Sequence, residues 1–147
     1  MQTYDDAGLI YASDCRGLFP FLPRIKGKTF KALQIPTTLP TLDELLGNPE
    51  FPLEQIAQHY LALLKTDHPN VMTVHPEIEG MNYLPWFRNF LLAIKKEVNF
   101  VTLENIAQKT LQSANQEVPV CDLEQGSVPG RSGFLAVQHL DNKSSSA

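Results

Sequence analysis

Short apolar runs alternate with amphipathic helical segments along most of the chain, and this alternation restricts the fold more than any other feature. Runs of β-prone residues lie at 9–13, 33–35, 71–74 and 100–101. Apolar residues recur at helical spacing after Pro52, around Trp86 and after Thr102. Strands that alternate with helices are typical of α/β proteins with parallel strands. We therefore predict an α/β fold of three to four βα units, followed by an irregular tail from residue 115.

The expected helix ends follow from local chemistry. Pro52 suits a first helical turn, and the Thr102 side chain can cap the helix that follows it. Thr41 followed three residues later by Glu44 matches a capping box, and Gly47 can end that short helix.

Composition narrows the class of protein. The chain has 147 residues, 43% of them hydrophobic and 19% charged, which fits one globular domain. Its formal net charge is -4, and its Lys and Arg residues are scattered except for a small cluster at 24–31 that we interpret as a solvated loop. Nucleic acid is therefore not an expected partner.

The cysteine count and the chain start bear on location. Cys15 and Cys121 are far apart and form no disulfide framework, which fits a reducing compartment. No apolar stretch approaches the ~18 residues of a membrane helix, and the acidic start is unlike a signal peptide. We expect a cytoplasmic protein with a domain at 1–141 and a disordered, Ser-rich polar tail at 142–147.

Two polar residues follow predicted buried strands, at the edge where sites collect in parallel α/β folds. His75 follows the run at 71–74, and Pro76 holds it on extended backbone. It is either a general acid or a structural histidine bonded to a loop carbonyl. Asp14 follows the first run and either accepts the ring N–H of a histidine or bonds its own backbone in a turn.

Arg16 lies two residues after Asp14 and either contacts a phosphate or forms an ordinary surface ion pair. Glu77 and Glu79 flank His75, but one histidine with two neighbouring glutamates is a weak metal signal. The sequence contains neither H-E-x-x-H, nor a G-x-S-x-G elbow, nor a phosphate-binding loop. We predict no metal ligands in the chain and assign Arg16, Glu77 and Glu79 to substrate binding.

Several segments resemble one family in the same order. They are Y-A-S-D-C-R-G at 11–17, P-F at 20–21, Q-I-P-T-T-L-P-T-L-D-E at 34–44, T-V-H-P-E-I-E-G at 73–80 and G-R-S-G-F-L at 130–135. The chain resembles the C-terminal half of the polysaccharide deacetylase (NodB-type) superfamily, and most closely its lipid-sugar deformylases. The resemblance implies a distorted (β/α) barrel with zinc or another divalent metal that polarises an amide carbonyl and activates water.

The resemblance also implies roles and a substrate. His75 matches the late-strand histidine that protonates the leaving amine, and Asp14 matches the aspartate that tunes it. The implied substrate is a lipid-linked or polymeric amino sugar that carries an N-formyl or N-acetyl group. Its expected form is 4-formamido-arabinose on undecaprenyl phosphate, in lipid A modification and polymyxin resistance. Such a substrate is compatible with peripheral contact at the inner membrane.

The family's metal ligands lie upstream of the stretch that this chain resembles. We therefore expect the isolated chain to bind no metal cofactor and to be inactive. The alternative is a non-catalytic remnant, or one half of a split barrel that has the upstream half as its partner. A sugar-binding module that stacks its ligand on Trp86 and Tyr83 is a third interpretation, less simple because Trp86 lies on an apolar helix stripe.

Overall fold

A computed structural model describes residues 1–64, 66–113 and 117–140. Its helices are α1 (Gln2–Asp6), α2 (Leu42–Leu45), α3 (Leu53–Leu63), α4 (Leu84–Ile94) and α5 (Leu103–Gln112), and a π-helical turn covers Ile78–Asn82. Its strands are β1 (Tyr11–Ala12), β2 (Leu22–Ile25), β3 (Lys28–Thr29), β4 (Leu33–Gln34), β5 (Val120–Gly126) and β6 (Leu135–Gln138). The predicted polar tail at 142–147 lies outside the described residues, so its disorder stays a prediction.

The strands form two small sheets. β1 pairs in parallel with β4, with Tyr11 opposite Leu33 and Ala12 opposite Gln34. The second sheet has the order β3-β2-β5-β6, in which β2 and β5 are parallel and the outer pairs are antiparallel. The mixed α/β class is therefore confirmed, but the tail predicted to be irregular from residue 115 contains the strands β5 and β6. The strands among the described residues close no barrel, and the half barrel stays a prediction.

Two predicted strands are wrong. Residues 71–74 and 100–101 are not in strands. The first segment is nevertheless bonded to the segment before α2, because the Val71 carbonyl accepts hydrogen bonds from the Thr38 and Leu39 N–H groups at 3.0 and 3.1 Å. The second segment has exposed side chains, with Phe100 65% and Val101 55% exposed. An apolar run alone does not form a strand, since a strand also needs a neighbouring backbone with which to pair.

The predicted helices are confirmed, and their ends follow the expected chemistry. Pro52 lies at the N-cap of α3. The Thr102 hydroxyl caps α5 by accepting a hydrogen bond from the Asn105 N–H at 3.2 Å. In α2, the Glu44 carboxylate accepts the Thr41 N–H at 2.9 Å, which is the glutamate half of a capping box.

The main core lies between α2, α3 and α4. Its buried members are Leu39, Leu42, Leu45, Ile56, Tyr60, Phe90 and Ile94. Trp86 is half-buried against this core, with its ring stacked on Phe90 at a centroid distance of 5.4 Å and its Nε1 donating to the Leu53 carbonyl at 3.3 Å. Trp86 is thus a core residue, and nothing in its surroundings favours the sugar-stacking interpretation.

The loop after β1 is held by residues far away in the sequence. The Arg16 N–H donates to the Ala136 carbonyl at 2.9 Å, and the Gln138 N–H donates to the Arg16 carbonyl at 2.8 Å. The buried Gln138 side chain adds a third bond, because its Oε1 accepts the Leu18 N–H at 2.8 Å. On the other side, the Thr37 N–H donates to the Cys15 carbonyl at 2.9 Å. These contacts fix the loop that carries Asp14 and Arg16.

Candidate functional site

A small cavity of about 240 Å³ lies where the loop after β1 meets the segment before the π-helical turn. Most of its lining side chains carry oxygen, nitrogen or sulfur, and we call it the polar cavity. They are Ser13, Asp14, Cys15, Arg16, Thr37, Thr41, Thr73, His75, Arg131 and Leu135. The structure therefore brings three predicted site residues, Asp14, Arg16 and His75, to one cavity.

The position of His75 is set by its backbone. Its N–H donates to Glu79 Oε2 at 2.8 Å, and its carbonyl accepts the N–H groups of Ile78 and Glu79 at 2.9 and 3.0 Å. These bonds begin the π-helical turn immediately after His75. The chain therefore changes from extended to helical at this residue, and the imidazole is left at the cavity wall.

The imidazole of His75 faces the carboxylate of Asp43, with Nδ1 3.3 Å from Oδ1. The ring is 36% exposed although Nδ1 itself is screened from solvent, so the opposite edge of the ring, with Nε2, is the reachable one. Partial burial raises the pKa of Asp43, but the Thr41 hydroxyl, the helix backbone and the charges of His75 and Arg131 outweigh this and lower it. Asp43 is therefore ionised at neutral pH beside the ring.

Asp14 lines the same cavity but bonds a different group. Its Oδ2 accepts a hydrogen bond from the Tyr4 hydroxyl at 2.6 Å, and this bond raises the pKa of Tyr4. The family resemblance implied that Asp14 tunes the histidine, whereas the carboxylate found against His75 is that of Asp43. The reason is that α2, which carries Asp43, packs next to the π-helical turn.

Arg16 forms an ion pair in the interior. Its Nη2 lies 2.5 and 2.6 Å from the two carboxylate oxygens of Glu44, and its Nη1 donates to the Leu39 carbonyl at 2.5 Å. The side chains are only 11% and 3% exposed, so this is not the surface pair that the sequence suggested as one alternative. The guanidinium is thus saturated by protein groups on the side facing Glu44.

The two predicted glutamates differ in burial. Glu79 is fully buried, and its carboxylate holds the His75 backbone, as described above. Glu77 is exposed and precedes the π-helical turn. Neither belongs to the residues that line the polar cavity. Their assignment to substrate binding stays a prediction, and the contact found for Glu79 is with the backbone.

Two charged residues of this site went unassigned in the sequence. Asp43 was interpreted only as part of a helix start, and Arg131 only as part of a tail motif. The Arg131 guanidinium is 47% exposed at the cavity and lies 3.8 Å from Glu44 Oε1. The loop can place it there because Gly130 and Gly133 adopt φ values of 79° and 83°. The one signal for Asp43 in the sequence was a carboxylate in the first turn of a helix, within the motif at 34–44.

Cys15 is the one sulfur in the lining of the polar cavity. Its thiol is 2% exposed and donates to Gln34 Oε1 at 3.3 Å. Burial, with a smaller effect of the Asp14 charge, raises its pKa to about 12. The thiol is therefore protonated at neutral pH and does not act as a nucleophile.

The described residues do not provide a metal centre. No group of three or more His, Cys, Asp or Glu side chains among them is arranged to hold a metal ion. His75 and Asp43 could supply at most part of a ligand set, since a catalytic zinc needs three protein ligands. In the same part of the chain, no helix is long and apolar enough to span a membrane.

Comparison with known proteins finds curated proteins of similar sequence, two of which follow, and no protein-family model matches the chain. A probable 4-deoxy-4-formamido-L-arabinose-phosphoundecaprenol deformylase ArnD from Wigglesworthia glossinidia brevipalpis is 36% identical over 130 residues, 87% of this chain and 44% of that protein. A protein of the same name from Shewanella sediminis (strain HAW-EB3) is 32% identical over 142 residues, 95% of this chain and 44% of that protein. The chain thus spans less than half the length of these relatives. Over that stretch its sequence is similar to these two proteins.

Proposed function

We propose that this chain is part of an amide hydrolase that removes an N-formyl group from an amino sugar. The proposed substrate is 4-formamido-arabinose on undecaprenyl phosphate, as the names of the two relatives indicate. The observation that carries the proposal is the His75–Asp43 pair at the polar cavity, in a chain related to deformylases. An N-acetyl sugar is the alternative substrate.

His75 supplies the proton in this chemistry. Water adds to the formyl carbonyl, and the C–N bond of the resulting tetrahedral intermediate breaks when the nitrogen accepts a proton. Nε2–H of His75 donates that proton, and formate and the free amine leave. The Asp43 carboxylate lies 3.3 Å from Nδ1 and occupies that edge of the ring, which leaves Nε2 toward the substrate.

Asp43 thus takes the place that the sequence assigned to Asp14. The Asp14 carboxylate and the Arg131 guanidinium stay at the cavity wall, where they are available to sugar hydroxyl groups. Arg16 is less suited to this role because Glu44 and Leu39 already occupy its guanidinium. The proposed localisation is cytoplasmic, with the lipid carrier in the adjoining membrane.

We propose that the ligands of a catalytic metal lie outside the described residues. We expect that the 147-residue chain alone forms no tight stoichiometric zinc site and releases no formate. Calorimetric titration with zinc and a formate assay measure these two properties. A tight one-to-one zinc site would show that the assignment is wrong.

The enzymatic test combines this chain with the part of a relative that the chain does not span. That part is supplied either as a fusion or as a separate polypeptide. His75→Gln should lower formate release from the formamido sugar by about 10²–10⁴-fold, the usual contribution of a general acid. His59→Gln is the matched control, because His59 lies on α3 outside the cavity. Unchanged turnover in His75→Gln would show that His75 is not the general acid. If the wild-type chain with the restored part releases no formate, the proposed function is wrong.

The second candidate is one half of a split barrel that acts through a partner chain. The observation that favours it is the exposure of large apolar side chains, which are 65% exposed at Phe100 and 79% exposed at Phe134. Activity from two separate polypeptides, but from neither alone, is its expected outcome in the same assay.

A further inference from the structure

The extended segment 72–75 separates two cavities. Thr73 and His75 line the polar cavity, whereas Met72 and Val74 line a second cavity on the other side. Alternate residues of an extended chain point to opposite faces, so this division follows from the backbone. The residue that carries the proposed chemistry therefore stands directly beside the second cavity.

The second cavity is large and apolar, and we call it the apolar cavity. Its volume is about 730 Å³, and α4 and α5 form two of its walls through Phe87, Leu91, Ile94 and Ile106. Its rim carries Phe100 and Val101, which are 65% and 55% exposed. This volume lies within the range of about 300–1,000 Å³ that small-molecule sites occupy.

The charges in the lining do not select an ionic ligand. Glu97 and Lys109 are its only Asp, Glu, Lys or Arg residues among the described positions, and their charges are opposite. Most of the lining side chains are apolar, and burial of hydrocarbon against them is the favourable interaction that the cavity offers.

We propose that the apolar cavity binds the hydrocarbon chain of a polyprenyl-linked substrate while the polar cavity holds its sugar. The proposal rests on the proposed function, which places the scissile amide at His75. It explains why an exposed phenylalanine and valine follow α4 at a cavity rim, where a solvated turn would ordinarily carry polar residues. A ligand with a polar head and a long apolar tail fits two cavities that share one wall.

Farnesyl phosphate is the probe, titrated into the 147-residue chain and followed by amide NMR. We expect saturable shifts at Met72, Val74 and Val101, and no comparable shifts with inorganic phosphate. Phe100→Asp should weaken binding about tenfold or more, because it places a charge where the prenyl chain lies. Phe134→Asp is the matched control: Phe134 is 79% exposed and is not part of the cavity lining, and this variant should bind within about twofold of wild type.

Several outcomes would overturn the proposal. They are equal losses in the two variants, inorganic phosphate as effective as farnesyl phosphate, and the absence of any binding. A further contrary outcome comes from sedimentation velocity. If the chain is a dimer that Phe100→Asp dissociates, and farnesyl phosphate binding is unchanged, the cavity holds a second copy of the chain and not the prenyl group. His75→Gln should leave farnesyl phosphate binding intact, so failure of the catalytic proposal is separable from failure of this one.

Discussion

Replacing Arg16 by Met should destabilise the folded chain by about 3 kcal/mol. The substitution removes the guanidinium that neutralises Glu44, whose side chain is 3% exposed. Removal of one partner of a buried ion pair typically costs about 3–5 kcal/mol, because the remaining charge is left without compensation. We expect the lower end, since the Glu44 carboxylate keeps the Thr41 N–H at 2.9 Å and can attract Arg131 from 3.8 Å.

A double-mutant cycle measures the interaction itself. Glu44→Gln keeps a hydrogen-bonding side chain but removes its charge, so Arg16 then becomes the uncompensated partner. In the double variant neither charge remains, and part of the lost stability should return. The coupling energy between the two sites should be about 1–3 kcal/mol, within the range of about 0.5–3 kcal/mol found for residues in direct contact.

Urea unfolding followed by tryptophan fluorescence is the assay, because Trp86 is the chain's one tryptophan and packs on the main core. The expected result is a lower midpoint with an unchanged slope. An Arg16→Met variant within about 1 kcal/mol of wild type, or a coupling energy within about 0.3 kcal/mol of zero, would refute the reasoning. Arg16 would then be free to contact substrate, as the sequence suggested.

Three further predictions concern other parts of the structure. Gly130→Ala should lose about 2 kcal/mol more stability in urea unfolding than Gly133→Ala. Both residues have positive φ, but a Cβ added at 130 would clash with the Glu44 carbonyl oxygen, whereas a Cβ at 133 has no neighbour within 4 Å. Equal losses would contradict this. In the native chain at neutral pH, iodoacetamide should alkylate Cys121 about tenfold or more faster than Cys15, because Cys15 is buried and its thiol pKa is raised. In urea, the two cysteines should react at equal rates, as mass spectrometry can show. Rapid alkylation of Cys15 in the native chain would contradict its burial. The hydrogen bond and charge of Arg24 lower the pKa of Asp122 on folding, so this carboxylate stabilises the fold above its unfolded pKa of about 3.9, and that contribution is lost as the pH falls through the lower folded pKa. Stability curves measured against pH should therefore be flatter below about pH 4 in Asp122→Asn than in wild type, and parallel curves would contradict the pairing.

The helices were predictable because their signals are local. Pro52 and Thr102 stand at helix starts, and the apolar spacing that follows each of them needs no distant partner. The strands were less predictable, because a strand is defined by its neighbour. β5 contains Asp122 and Glu124 and gives no apolar signal, yet it pairs with both β2 and β6.

The site was predictable in part. Asp14, Arg16 and His75 do meet at one cavity, as strand-end positions suggested. Their partners were not predictable, because each is chosen by tertiary packing. Asp43 reaches His75, and Glu44 reaches Arg16, through the placement of a four-residue helix that carries no strong periodic pattern of its own.

The bonds between the loop after β1 and the strand β6 also concern biosynthesis. The Leu18 N–H and the Gln138 side chain that accepts it are 120 positions apart, and Arg131 and Leu135 supply part of the polar cavity wall. On a ribosome, the early residues Asp14 and Arg16 therefore emerge long before the segment that encloses them. Until that segment leaves the exit tunnel, the nascent loop has no β6 to hold it, and the cavity cannot close before β6 has emerged.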